Sequence, residues 1–185
     1  MAKKQKKHGR NSYLNDFRLN VAGEYIYDGA LYACRDGADG IRAAQRRVWT
    51  AGALLVLAAV LGGCIPAPGM QNHFYVILPY LGELTASLTV LWALVRLGRS
   101  WTSVREYVYE RTVPALPRRA MAAAVCALLG AAAEGVYLVL SGAGGQVFPV
   151  ALYFLLKLLA AASALTIRRA MILSNWDKVS KNGDC

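Results

Sequence analysis

Three ionisable residues stand inside otherwise apolar runs of this chain: Glu83, Glu134 and Lys157. A charge in such surroundings can do two kinds of chemistry. It can take up and release a proton or cation along a transport path, or it can join an ion pair that decides which helices associate. An isolated charge at the centre of a bilayer costs at least about 2.5–3.5 kcal/mol, so such groups turn inward and find partners. Tyr80 precedes Glu83 by three residues, Tyr137 follows Glu134 by three, and Tyr153 precedes Lys157 by four. Residues so spaced share a helix face. The expectation is a polar cluster of Glu83, Glu134 and Lys157 supported by the hydroxyls of Tyr80, Tyr137 and Tyr153.

The elements that must position these groups are four apolar runs, residues 48–65, 74–95, 120–140 and 147–167. Each approaches or reaches the roughly 20 residues that cross a hydrocarbon core. At the helical rise, Glu83, Lys157 and Glu134 stand about 13, 15 and 9 Å from the same end of their runs, near enough in depth to meet. The chain of 185 residues is 56% hydrophobic and 17% charged, with a mean hydropathy of +0.34. Soluble domains carry roughly 25% charged residues, and a chain this short cannot surround four such helices with a soluble shell. The fold class expected is an all-α membrane protein, a four-helix transmembrane bundle built from two antiparallel hairpins.

Basic residues orient the bundle. Ten of the 21 Lys and Arg precede the first run, six lie at 96–119 between the second and third, and four follow the fourth. The connections 66–73 and 141–146 contain none, and Lys157 is the remaining one. By the positive-inside rule both termini are cytoplasmic, and a bacterial inner membrane is the expected home. Arg46/Arg47, Arg118/Arg119 and Arg168/Arg169 flank the runs as topology anchors facing anionic headgroups. The net charge of +10 is thereby accounted for without nucleic acid, and no nucleic-acid module accompanies it.

Four cysteines, Cys34, Cys64, Cys126 and Cys185, show no CxxC pairing. That excludes the common zinc and disulfide patterns, and no metal or cofactor is expected. Leu61-Gly62-Gly63-Cys64 has lipobox character, but a signal peptide occupies roughly the first 15–30 residues. It is read instead as small residues at the outer end of the first span. His8 and His73 lie outside the runs, so no Ser/His or metal constellation points to an enzyme.

Outside the runs, residues 1–10 form a basic tail expected to be disordered. Residues 11–47 form an N-terminal segment with a β-hairpin over about 23–34, centred on Asp28-Gly29. A helix is then expected to lead from about Asp39 into the first span. In the central connection, Ser103 and Glu106 form a capping box, and Trp101, Val104 and Val108 share a face. That pattern predicts an interfacial amphipathic helix ended by Pro114 and Pro117. The two short outer connections, with Pro66, Pro68 and Gly69 in one and three glycines in the other, are expected to be tight turns. The C-terminal tail is 168–185.

Small residues at four-residue spacing, Ala58 and Gly62 in the first run and Ala123, Ala127, Ala131 and Gly135 in the third, allow close helix approach. They fit a compact bundle, and equally a homo-oligomer or a membrane-protein partner. The function expected is a structural or accessory membrane subunit with a buried Glu/Lys pair. The alternative is a small proton- or cation-coupled transporter or channel working as an oligomer through that cluster.

Overall fold

The computed structural model describes residues 17–19, 24–27, 29–98, 101–142 and 145–179. The expected disordered tail over 1–10 lies outside them. The chain runs β1 (Phe17–Leu19), β2 (Tyr25–Tyr27), β3 (Leu31–Cys34), α1 (Gly37–Cys64), α2 (Pro68–Asn72), α3 (Phe74–Leu97), β4 (Val104–Arg105), α4 (Glu106–Thr112), α5 (Leu116–Ser141), α6 (Val147–Leu173) and β5 (Trp176–Val179).

Four of these helices, carried by the Ala- and Leu-rich runs, are long and apolar enough to cross a membrane. α1, α3, α5 and α6 span 28, 24, 26 and 27 residues. Each packs on two neighbours, α1 on α3 and α6, and α5 on α3 and α6, which closes an up-down-up-down bundle. The helices outrun the apolar runs mainly at one end: α1 begins at Gly37, α5 at Leu116, and α6 continues to Leu173. Gly98 and Gly142 take φ of 70° and 75° with ψ near 180° just past α3 and α5, a conformation essentially confined to glycine, which stops each helix there.

The extended α1, α3, α5 and α6 converge on a three-stranded antiparallel sheet of order β4-β3-β5. Leu31 and Tyr32 pair with Arg105 and Val104 on one side, and Leu31 to Cys34 pair with Val179 to Trp176 on the other. The sheet thus ties together the segment before α1, the connection after α3 and the segment after α6, at one end of the bundle. Trp101 is buried beneath it, 5.5 Å from the Trp176 ring, while Tyr109 stacks on Tyr32 at 4.1 Å. Arg35 bridges to Asp177 at 2.8 Å.

Among the described residues the expected hairpin over 23–34 does not form. Its two halves are both strands, but β2 pairs with β1 and β3 with β4 and β5. A two-stranded hairpin is marginal alone, whereas β3 as a centre strand satisfies both of its edges. The short sheets also depart from an all-α class. The central connection differs too. Val104 is a strand residue, α4 begins only at Glu106, and its N-terminus has no side-chain cap, so the Ser103/Glu106 box is not made. Trp101 and Val104 are buried as expected of a common face, but from extended chain. Pro117 lies in the first turn of α5, where proline's fixed φ suits helix initiation, so it starts a helix rather than ending one. The first outer connection is not a tight turn either: it contains α2, with Ala67 and Gly69 buried.

Candidate functional site: a buried ion pair and its polar neighbours

Near the middle of the bundle the Lys157 ammonium of α6 donates to Glu83 Oε2 of α3, and both side chains are at most 1% exposed. Side chains tilt toward the N-terminus of their helix, and α3 and α6 both start at the α2 end. Glu83 and Lys157 therefore lean the same way and meet. The ammonium also lies 4.9 Å from the Tyr80 ring centroid and 4.8 Å from that of Tyr153. Phenol faces attract cations, so one carboxylate and two rings surround it.

The remaining two helices close the site with glycine. A Cβ at Gly62 of α1 or at Gly130 of α5 would stand 3.8 Å from Nζ in either case. Backbone approaches the ammonium there because no side chain intervenes. Gly130 lies outside the expected ladder, and the physical reason is geometric. A four-residue step overshoots the helical turn by about 40°, so a strict ladder rotates off its face. Ala123 and Ala127 are buried, Ala131 and Gly135 only half-buried, and the buried stripe continues through Gly130 and Glu134. A three-residue step after Ala127 would have found it. Ala58 and Gly62 are both buried.

Glu134 does not join the ion pair. It is fully buried, and its Oε1 accepts the backbone N–H of Gly69 at 3.2 Å. A Cβ on Gly69 would overlap the Glu134 carboxylate and stand 3.2 Å from the Tyr137 ring. Tyr137, one turn on, packs against His73 with centroids 4.7 Å apart. The expected single cluster is therefore two: Glu83, Lys157, Tyr80 and Tyr153 at mid-bundle, and Glu134, Tyr137, Gly69 and His73 nearer the α2 end. The cause is the connection 65–73, which folds inward and offers Glu134 a nearer donor than Lys157. Pro68 followed by a short polar-apolar stretch was the signal for that helix, since proline favours a first turn.

Tyr153 is fully buried, and a Cβ on Gly130 would stand 3.5 Å from its hydroxyl. Its hydroxyl, Glu83 Oε1 and Glu134 Oε2 are buried without a hydrogen-bonding partner among the described residues. The Ser87 hydroxyl is committed to the Glu83 carbonyl at 2.7 Å and does not serve the carboxylate. Toward the sheet the core is mainly apolar: Leu55, Val90, Leu94, Ala120, Ala164 and Ile167 are buried there, with Ser163 and Thr112 as polar exceptions. The buried charged side chains among the described residues thus lie in the half of the bundle next to α2.

The three arginine pairs all lie at the sheet end. Arg119 donates to the Thr89 carbonyl at 3.2 Å and Arg118 to that of Pro114 at 3.4 Å. Arg46, Arg47 and Arg169 are exposed and Arg168 is half-buried. Chemically the centre is an ion pair sealed among helices. No family model, no curated protein and no solved structure matches this chain.

Proposed function

We propose that this chain is a four-span inner-membrane protein with both termini and the central connection in the cytoplasm, serving as a structural or accessory subunit. The observation that carries the membrane reading is an inverted distribution of polarity. Glu83, Lys157 and Glu134 are buried at the centre, while Leu57, Leu78, Leu128, Leu129, Leu155 and Leu158 are each about half exposed on the outside. Water would favour the reverse; lipid tails favour this arrangement. The sheet supports the orientation, because it gathers at one end the three segments that hold 20 of the 21 Lys and Arg.

The subunit reading rests on the ion pair itself. Glu83 and Lys157 neutralise one another between α3 and α6, and a mainly apolar core lies on the sheet side. An arrangement of this kind fixes register between helices. A second reading, a proton- or cation-coupled transporter, is favoured by three acceptors of this centre that are buried without a partner among the described residues, Glu83 Oε1, Glu134 Oε2 and the Tyr153 hydroxyl.

Proteoliposome flux under an imposed pH gradient separates the two. The subunit reading expects no proton-driven flux from wild type or from a folded Glu83→Leu/Lys157→Leu variant. Flux by wild type that the folded double variant loses would establish the transporter and place its site.

A further inference from the structure

The sheet end of α1 carries a second arrangement that the ion pair does not use. Arg42 and Arg46 stand one turn apart, and Arg47 lies beside them; all three are exposed. None of these guanidiniums bonds to a described residue, in contrast to Arg35, Arg118 and Arg119. Arg42 and Arg46 both line two grooves, of about 420 Å³ with Asp39 and Thr50 and about 410 Å³ with Trp49. The Thr50 hydroxyl is occupied by the Arg46 and Arg47 carbonyls, so the guanidiniums are the groove's free donors. Asp39 lines the first groove without bridging to Arg42.

The same helix face continues as apolar surface. Arg42, Arg46, Trp49, Ala53, Leu57 and Val60 follow one another at three- and four-residue steps. Trp49 is half-buried, and Ala53, Leu57 and Val60 are exposed. From Trp49 to Val60 the stripe runs about 16 Å, close to the depth of one leaflet. Two arginines in reach of one phosphate, an indole at the headgroup level and an apolar track beyond it have the order of parts of a phospholipid.

We infer that the Arg42–Arg46–Trp49 face of α1 is a binding site for one anionic phospholipid, its phosphate held between the two guanidiniums and an acyl chain along Ala53, Leu57 and Val60. This rests on the membrane reading above. A headgroup attracted only by diffuse charge would make no distinction among the basic surfaces. The site does make one: adjacent residues such as Arg168 and Arg169 diverge around their helix and cannot share a phosphate.

The test is native mass spectrometry of the detergent-solubilised full chain titrated with phosphatidylglycerol or phosphatidylcholine. Wild type is expected to retain one phosphatidylglycerol. Arg42→Gln/Arg46→Gln should bind it about thirtyfold more weakly, the loss expected for two arginines at a membrane surface, while Arg168→Gln/Arg169→Gln should bind as wild type. Equal losses in both pairs, or none in the first, overturn the site. Should the first variant fail to fold, wild-type thermal stability decides. Short-chain phosphatidylglycerol should raise it where phosphatidylcholine and inorganic phosphate do not, and equal effects overturn the proposal. Extraction of the protein from membranes by alkaline carbonate would instead overturn the membrane reading, and this site with it.

Discussion

At the scale of single residues, the pair Glu83–Lys157 is better understood as mutual neutralisation than as a source of stability. Two ions taken from water lose hydration that their attraction barely returns, so an apolar replacement of both is often harmless. Removing one leaves the other bare. Lys157→Ala should therefore destabilise by about 3–5 kcal/mol, whereas Glu83→Leu/Lys157→Leu should lie within about 1–2 kcal/mol of wild type. Unfolding in a fixed detergent, measured on both singles and the double, checks this through the coupling between the two sites. Glu134 makes a different demand, because its known contact is an acceptor for the Gly69 amide. Glu134→Gln keeps that oxygen and should be tolerated, while Glu134→Ala orphans the amide and should cost about 1–3 kcal/mol. Which residues carry polar roles was legible from type and spacing. Their grouping was not, since helical depth says nothing about a connecting segment that folds in and captures one carboxylate.

Among the elements, the small sheet and α2 are the parts that hydropathy could not place. The four long helices are visible because an apolar run of such length has few alternatives. β3 is a four-residue strand, and its partners are β4 and β5, more than 60 residues away along the chain in each case. The local Asp28-Gly29 signal pointed instead to a nearby hairpin. Strand pairing is decided by such distant partners, which a local pattern cannot reveal. Trp176 joins β5 to Trp101 and Tyr109 at 5.5 and 5.7 Å. Trp176→Ala should thus loosen the sheet by about 1–3 kcal/mol. It should also expose Cys34, which is buried, donates to Asp36 at 3.3 Å and has its thiol pushed above the ordinary range by that burial. Alkylation of Cys34 near neutral pH, followed by mass spectrometry, should be slow in wild type and faster in the variant. Equal rates would mean that the aromatic cluster does not hold the sheet. At the opposite end Gly69→Val should push α2 away from Glu134 and Tyr137, because the added atoms would enter the carboxylate's place. The expected cost is about 1–3 kcal/mol, read by thermal unfolding.

The whole molecule is two-sided. Charged residues buried in the half of the core next to α2, a mainly apolar half-core next to the sheet and the concentration of arginine at the sheet end describe a bundle with two unlike ends. Impermeant thiol labelling of intact cells tests this most directly, in a background with Cys34, Cys64, Cys126 and Cys185 replaced. Gln71 and Ser141 are exposed at the α2 end, Arg111 and Lys178 at the sheet end. Gln71→Cys and Ser141→Cys should label without permeabilisation, and Arg111→Cys and Lys178→Cys only after it. Labelling of Arg111→Cys or Lys178→Cys in intact cells, or one sidedness for Gln71→Cys and another for Ser141→Cys, would contradict the four-span arrangement.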